Sequence, residues 1–249
     1  MTVHFIGAGP GAADLLTVRA VRLLQTSPVC LFAGTYLDAD VLAHCPPGTT
    51  LVDTQHLDLD EIVEHLREAH AAGQDVARLC SGDPSLYSAL AEQTRRLDRL
   101  QIPWDVTPGV PAYAAAAAVV GRELTVPEVA QSVVLTRTQA ASTAMPEGES
   151  LAAFAATGAT LVLHLAIRRT RELCAELATW YGDGCPVVVV AHASRPSQVV
   201  LRGTLADMAD RVESAGLRQA AVILVGEALR AEEFVESHLY RSRPRPAGR

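Results

Sequence analysis

The sequence predicts an α/β protein made of two α/β domains, and three observations predict it. Short apolar runs alternate with longer segments of helical periodicity. Those runs end in turns rich in Gly, Pro and Asp, as strand-to-helix connections do. After a connector at residues 121–128 the alternation begins again, which divides the 249 residues into 1–120 and 121–249. Apolar residues make up 49% of the chain and charged residues 20%, a composition able to build two cores.

Taken in order, residues 3–6 read as a buried strand closed by Gly7-Ala8-Gly9-Pro10-Gly11. Residues 14–24 follow as a sheet-packed helix, with apolar positions at Leu15, Leu16, Val18, Val21, Leu23 and Leu24. Residues 29–32 and 51–53 are strands, and 59–71 is an amphipathic helix with His, Arg and Glu outward. Residues 76–79 form a strand that stops at Ser81-Gly82-Asp83-Pro84, and a helix to about residue 100 is expected directly after. Asp83 suits its N-cap and Pro84 its first turn. A short strand at 104–106 precedes Thr107-Pro108-Gly109-Val110-Pro111 and an alanine-rich helix at 113–120. In the second half, strands are expected at 132–137, 160–165, 186–191, 198–202 and 221–225. Helices are expected at 151–156, 168–181 and 205–215. Residues 139–150 form a polar loop, and 241–249 a solvated tail of arginine and proline.

Composition removes several enzyme classes. All 21 basic residues are arginine, so a Schiff-base lysine, a pyridoxal site and a complete Walker A loop are excluded. The net charge of −7 argues against nucleic acid or an anionic membrane surface as the main partner. Five cysteines (Cys30, Cys45, Cys80, Cys174, Cys185) stand far apart and in odd number, which reads as reduced thiols in a cytoplasmic protein. The N-terminus shows no signal peptide, and no apolar stretch is long enough to cross a bilayer. The eight histidines have no ligand spacing, so no metal site is expected.

Three strand-to-helix turns carry Gly-Pro or Asp-Pro chemistry. Gly7-Ala8-Gly9-Pro10-Gly11-Ala12 formally matches the dinucleotide pattern. However, Pro10 lacks a backbone donor where a pyrophosphate needs one. The second strand also ends in Phe32-Ala33-Gly34, with no acid for a ribose hydroxyl. The second and third turns, at Ser81-Gly82-Asp83-Pro84 and Pro108-Gly109-Val110, are each compatible with a plain capped turn. Their repetition at the carboxyl ends of strands in one domain points to a ligand site.

Together with Val222-Ile223-Leu224-Val225-Gly226-Glu227, these motifs resemble those of the tetrapyrrole methylases, in order and over most of the chain. The segments Val52-Asp53-Thr54, Leu59-Asp60-Glu61-Ile62-Val63 and Gly121-Arg122-Glu123-Leu124-Thr125-Val126-Pro127-Glu128 resemble the family members that methylate carbon 11 of a cobalamin precursor. The resemblance implies a ligand cleft between two α/β domains, S-adenosyl-L-methionine as methyl donor (S-adenosyl-L-homocysteine as product), a small-molecule precorrin substrate and a homodimer. It implies cofactor contacts at Pro10, Ser81, Gly82, Asp83, Leu86, Pro111 and Ala112 in the first domain. From the second it implies contacts at Leu165, Ala193, Ala220 and Ala221. Two departures stand out. Ala12-Ala13 replace the Asp-Pro that often follows Gly-Pro-Gly, and Ala33-Gly34 replace a Tyr-Asp.

Methyl transfer from a sulfonium to carbon is an in-line displacement governed by alignment, which can supply about 7–11 kcal/mol. No catalytic side chain is therefore assigned, and none of His164, His192 and Asp83 is expected to be an indispensable base. A polyanionic substrate on an acidic chain needs local cations, for which Arg122, Arg137, Arg168, Arg169 and Arg195 are the candidates. Three alternatives stay open: the same fold acting on another ring position or target, a nucleotide-binding oxidoreductase, and a non-catalytic assembly subunit. Whether the substrate carries cobalt is also open at this level.

Overall fold

A computed structural model describes residues 1–34, 37–138 and 144–237. The chain divides into two units, Met1–Ala115 with His192–Ser197, and Ala116–Ala191 with the chain from Gln198 onward. The division falls within a helix, not at the connector after residue 120.

The first unit is built on five parallel strands, β1 (Val3–Gly7), β2 (Val29–Phe32), β3 (Thr50–Asp53), β4 (Val76–Cys80) and β5 (Trp104–Thr107). Their order is β3-β2-β4-β1-β5. β4, flanked by β1 and β2, is buried along its whole length, whereas the edge strand β3 is largely exposed. Helices α1 (Val18–Thr26), α2 (Ala39–Leu42), α3 (Leu59–Ala71), α4 (Leu90–Arg99) and α5 (Ala112–Val120) complete the unit up to its boundary within α5. Because side chains alternate along a strand, β1 feeds two cores. Val3 and Phe5 meet Ile62, Leu66 and Leu97 on one face; Ile6 joins Ala20, Leu24 and Val41 on the other.

Local chemistry decides where the helices begin. α3 starts where expected because Asp58 accepts the Glu61 N–H at 2.9 Å while Glu61 Oε2 accepts the Asp58 N–H at 2.8 Å, a capping box. The first helix starts later than expected. Ala13–Leu15 form a 3-10 turn, and α1 begins only after Thr17, whose hydroxyl caps it through Ala20 N–H at 3.1 Å. α4 is also shorter than its apolar pattern suggested, and α2 was not foreseen. Residues 84–89 are irregular because side chains compete with the helical ladder. Asp83 Oδ1 takes the Ser85 N–H at 2.9 Å, and Ser88 Oγ–H donates to the Pro84 carbonyl. Asp83 therefore caps this turn, not α4.

The second unit holds β6 (Val133–Arg137), α6 (Leu151–Ala155), β7 (Thr160–His164), α7 (Thr170–Tyr181), β8 (Pro186–Ala191), β9 (Val199–Thr204), α8 (Met208–Ser214) and β10 (Ala221–Val225). Strand order is β6-β7-β10-β8-β9. β6 and β7 are parallel, while β10 runs antiparallel to both β7 and β8, and β9 antiparallel to β8. The renewed alternation thus yields a mixed sheet. The reason is topological: residues 192–198 join β8 to β9 without a crossover helix, and short connections give antiparallel neighbours. Leu161, Leu163, Val187, Val189, Ile223 and Val225 face Leu173 and Leu177 of α7 and Met208 and Val212 of α8. Residues 139–143, at the start of the expected polar loop, and the arginine–proline tail lie outside the described residues. Among the described residues, no helix is long and apolar enough to cross a membrane.

Candidate functional site

Strand order makes neighbours of turns far apart in sequence. β1 lies between β4 and β5, so the three Gly-rich turns leave one edge of the sheet side by side. Gly9 N–H donates to the Gly82 carbonyl at 3.1 Å and Gly82 N–H returns a bond to the Gly9 carbonyl at 2.8 Å. Ala8 N–H donates to the Cys80 carbonyl at 2.8 Å, extending β1–β4 pairing into the turns. A Cβ on Gly7 would lie 2.5 Å from Gly109 Cα and 2.8 Å from the Gly82 carbonyl oxygen. Only glycine permits that approach.

Asp83 clamps two of the turns together. Its Oδ1 accepts from Ser85 N–H and the Ser85 hydroxyl; its Oδ2 accepts the Gly109 N–H at 2.8 Å. Partial burial opposes ionisation, but these hydrogen bonds outweigh it and hold the carboxyl below its usual range. Pro111 Cα and Ala112 N sit where a Cβ on Gly82 would be 3.6 Å away. Pro10, Leu86, Pro111 and Ala112 are half-buried, and Ser81 is exposed. Six of the expected cofactor residues (Pro10, Ser81, Gly82, Asp83, Pro111, Ala112) therefore cluster, and Leu86 is tied to the same turn by its N–H to the Asp83 carbonyl at 3.3 Å.

Ala193, expected from the second domain, belongs to the first unit. Ser194 Oγ accepts the Ala12 N–H at 3.0 Å, and a Cβ on Gly11 would meet the Ala193 carbonyl oxygen at 3.2 Å and Arg195 Cγ at 2.6 Å. His192 and Ser194 hold positive φ values of 50° and 67°, which turns this segment sharply. The amides of the first Gly-rich turn are thus engaged by protein at Ala8, Gly9 and Ala12, and Pro10 has none. That is no cradle for a pyrophosphate.

In the second unit, Leu165 follows β7 at the end of the sheet where β10 begins with Ala221 and β8 ends with Ala191. Leu165 is 65% exposed with φ 55°, and Ala220 has φ 53°. Burial pushes the His164 imidazole below its ordinary range. The candidate arginines differ in their engagements. Arg122 donates to the Ala231 carbonyl at 3.0 Å and lies 3.9 Å from Glu232. Arg168 Nε–H reaches the Arg218 carbonyl at 3.1 Å, and Arg169 pairs with Glu172 at 2.5 Å. Arg137 ends β6 and donates to the Thr138 carbonyl at 3.4 Å. The five cysteines are free thiols, and among the described residues no cluster of His, Cys, Asp or Glu could hold a metal ion.

The sequence reading did not assign roles to Gly7, Ser85, Ser194 or the buried Arg78. Of these, Arg78 left a visible signal: a charge inside the apolar run Val76-Ala77-Arg78-Leu79-Cys80.

This arrangement, a parallel sheet whose glycine turns interlock beside a half-buried apolar rim, belongs to a known class. The sequence model for Tetrapyrrole (Corrin/Porphyrin) Methylases matches residues 2–209, and the chain belongs to this family of methyltransferases. It is 58% identical over 240 residues to the precorrin-4 C(11)-methyltransferase of Rhodococcus erythropolis, covering 96% of each chain. It is 34% identical over 239 residues to the cobalt-precorrin-4 C(11)-methyltransferase of Methanocaldococcus jannaschii, covering 96% of this chain and 92% of that one. Among solved structures, a cobalt precorrin-4 methyltransferase of cobalamin biosynthesis superposes with a TM-score of 0.89 at 36% identity, covering 92% of this chain and 96% of that one. Uroporphyrin-III C-methyltransferase from Thermus thermophilus, complexed with S-adenosyl homocysteine, gives 0.79 at 28% identity over 92% and 99%.

Proposed function

We propose that this chain transfers a methyl group from S-adenosylmethionine to carbon 11 of precorrin-4, giving precorrin-5 in cobalamin biosynthesis. The observation that carries this reading is the 58% identity along 96% of the chain with an enzyme of that activity. The first unit fits such a donor. The amides of Gly9, Gly82 and Gly109 are already taken by protein acceptors, and the half-buried Pro10, Leu86, Pro111 and Ala112 lie beside the turn pinned by Asp83. Such a rim suits a flat heterocycle and a sulfonium-bearing arm better than a polyphosphate. The oxidoreductase alternative loses its support on the same ground.

Bound there, the sulfonium would supply an electrophilic methyl group, and the protein's task is alignment. Asp83 keeps the second and third turns in register, while Ser81, Leu86, Pro111 and Ala112 form the contact surface. Ala193, Leu165, Ala220 and Ala221 are proposed as further contacts. Substrate carboxylates would be met by Arg122, Arg137, Arg168 and Arg195, whose guanidinium forks match them. No side chain is required as a base, so replacing His164, His192 or Asp83 slows turnover without abolishing it. Complete loss of turnover in a variant that still binds donor and substrate would refute that part.

Two further features follow from the same reading: a homodimer working in the cytoplasm, and a metal-free substrate. The second is favoured by identity, 50–59% to precorrin-4 enzymes against 34–36% to cobalt-precorrin-4 enzymes. Parallel turnover assays with precorrin-4 and cobalt-precorrin-4 decide it. The expected result is higher kcat/KM on the metal-free ring; equal or reversed values contradict it.

A further inference from the structure

Arg78 is the anomaly of the first unit. It sits in the middle of β4, 7% exposed, and among the described residues no carboxylate pairs with it. Its guanidinium instead holds two neutral acceptors. Nε–H donates to Gln93 Oε1 at 3.0 Å, and an Nη1–H donates to the Thr54 hydroxyl at 3.1 Å. Gln93, itself 2% exposed on α4, passes the connection on: its amide Nε2–H donates to the Ala89 carbonyl at 3.2 Å. Thr54 does the same on the other side, donating through Oγ1 to the Phe32 carbonyl at 3.0 Å. One buried cation in the middle of β4 thus joins the carboxyl ends of β2 and β3 to α4.

The recipient of the Gln93 bond needs such support. Ala89 and Tyr87 both hold φ 54°, a left-handed conformation unfavourable for residues that carry a Cβ. They close the turn that begins at Ser81-Gly82-Asp83 and carries Leu86. A buried guanidinium without a counter-charge is poor stabilising material, since apolar replacements of buried charges are often neutral or better. What this one does supply is direction, because a planar fork fixes the positions of its acceptors.

We propose that Arg78, acting through Gln93, is a positioning residue that sets the Ser81–Ala89 turn in its ligand-binding conformation. It rests on the methylase reading, in which that turn contacts the donor. Three variants separate this role from a general contribution to stability. Gln93→Glu keeps an acceptor for Arg78 and gives it a counter-charge, but it loses the side-chain amide hydrogen offered to the Ala89 carbonyl and leaves that carbonyl only the backbone N–H of residue 93 at 3.3 Å. Arg78→Met removes the fork while filling the space. Arg78→Lys keeps the charge without the two-pronged geometry.

Each full-length variant would be titrated with S-adenosylhomocysteine by calorimetry, unfolded by heat, and followed by hydrogen exchange at residues 84–89 without ligand. Gln93→Glu and Arg78→Met are expected to melt no lower than the parent, yet to bind about tenfold more weakly, as loss of one ordinary anchoring bond implies. Exchange at 84–89 should quicken while α3 and β1 are unchanged, and Arg78→Lys should not restore affinity. Parental affinity and exchange in folded Gln93→Glu and Arg78→Met would overturn the proposal, as would a drop in melting temperature that accounts for the whole affinity loss. A parent chain that ignores S-adenosylhomocysteine would instead overturn the methylase reading, while exchange still reports whether Arg78 holds the turn.

Discussion

At the scale of single residues, the site rests on contacts that leave no room for ordinary side chains. Gly7 and Gly109 approach so closely that an added methyl group must displace backbone. Gly7→Ala and Gly109→Ala are each expected to lose about 1–3 kcal/mol or more, the usual cost of overpacking. Urea unfolding measures this, and a parental midpoint in either variant would contradict the contact. Asp83 gives a pH signature. Its carboxyl is held below its ordinary value in the folded chain. The stability it contributes is therefore present above the unfolded carboxylate range and is lost as pH falls through the folded value. Asp83→Asn should cost about 1 kcal/mol at neutral pH, and the gap from the parent should narrow on acidification. A gap that widened in acid would reverse the assigned sign.

At the scale of elements, what the sequence revealed depended on whether the deciding chemistry was local. α3 was legible because Asp58 and Glu61 cap it across a single turn. β8 was legible because four successive valines allow little else. The start of α4 was not. An apolar spacing at Leu86, Ala89 and Leu90 suggested continuous helix, but Asp83 and Ser88 turn their hydrogen bonds onto neighbouring backbone and hold 84–89 open. The place of β10 was equally hidden, since its insertion between β7 and β8 is a long-range choice with no local mark. β7 carries its own prediction. Burial lowers the folded pKa of His164, so the unfolded chain protonates first as pH drops below about 6.5. Stability should therefore fall from that point downward until the folded form also protonates. His164→Gln should flatten this portion of a thermal-melt series against pH; an unchanged slope would contradict it.

At the scale of the whole molecule, the six clustered donor-contact candidates were readable from motifs, but their meeting depended on strand order. β1 between β4 and β5 is what sets Gly9 against Gly82 and Asp83 against Gly109. Ala193 shows the opposite case. Its segment lies late in sequence, yet it joins the first unit through Ser194 and Arg195, for which no motif gave warning. The arginine candidates were chosen by position alone, and Arg122 and Arg169 each have a glutamate neighbour. The Arg169–Glu172 pair bears on substrate binding: Arg168→Ala should raise KM for the tetrapyrrole more than Arg169→Ala does. An equal effect from both would remove the distinction.

The most direct measurement is the position of the transferred carbon. The chain would be incubated with precorrin-4 and a donor carrying a 13C-labelled methyl group, and the product read by NMR. One labelled methyl on carbon 11 is the expected result; a label on any other carbon, or none transferred to folded and donor-saturated protein, contradicts the account.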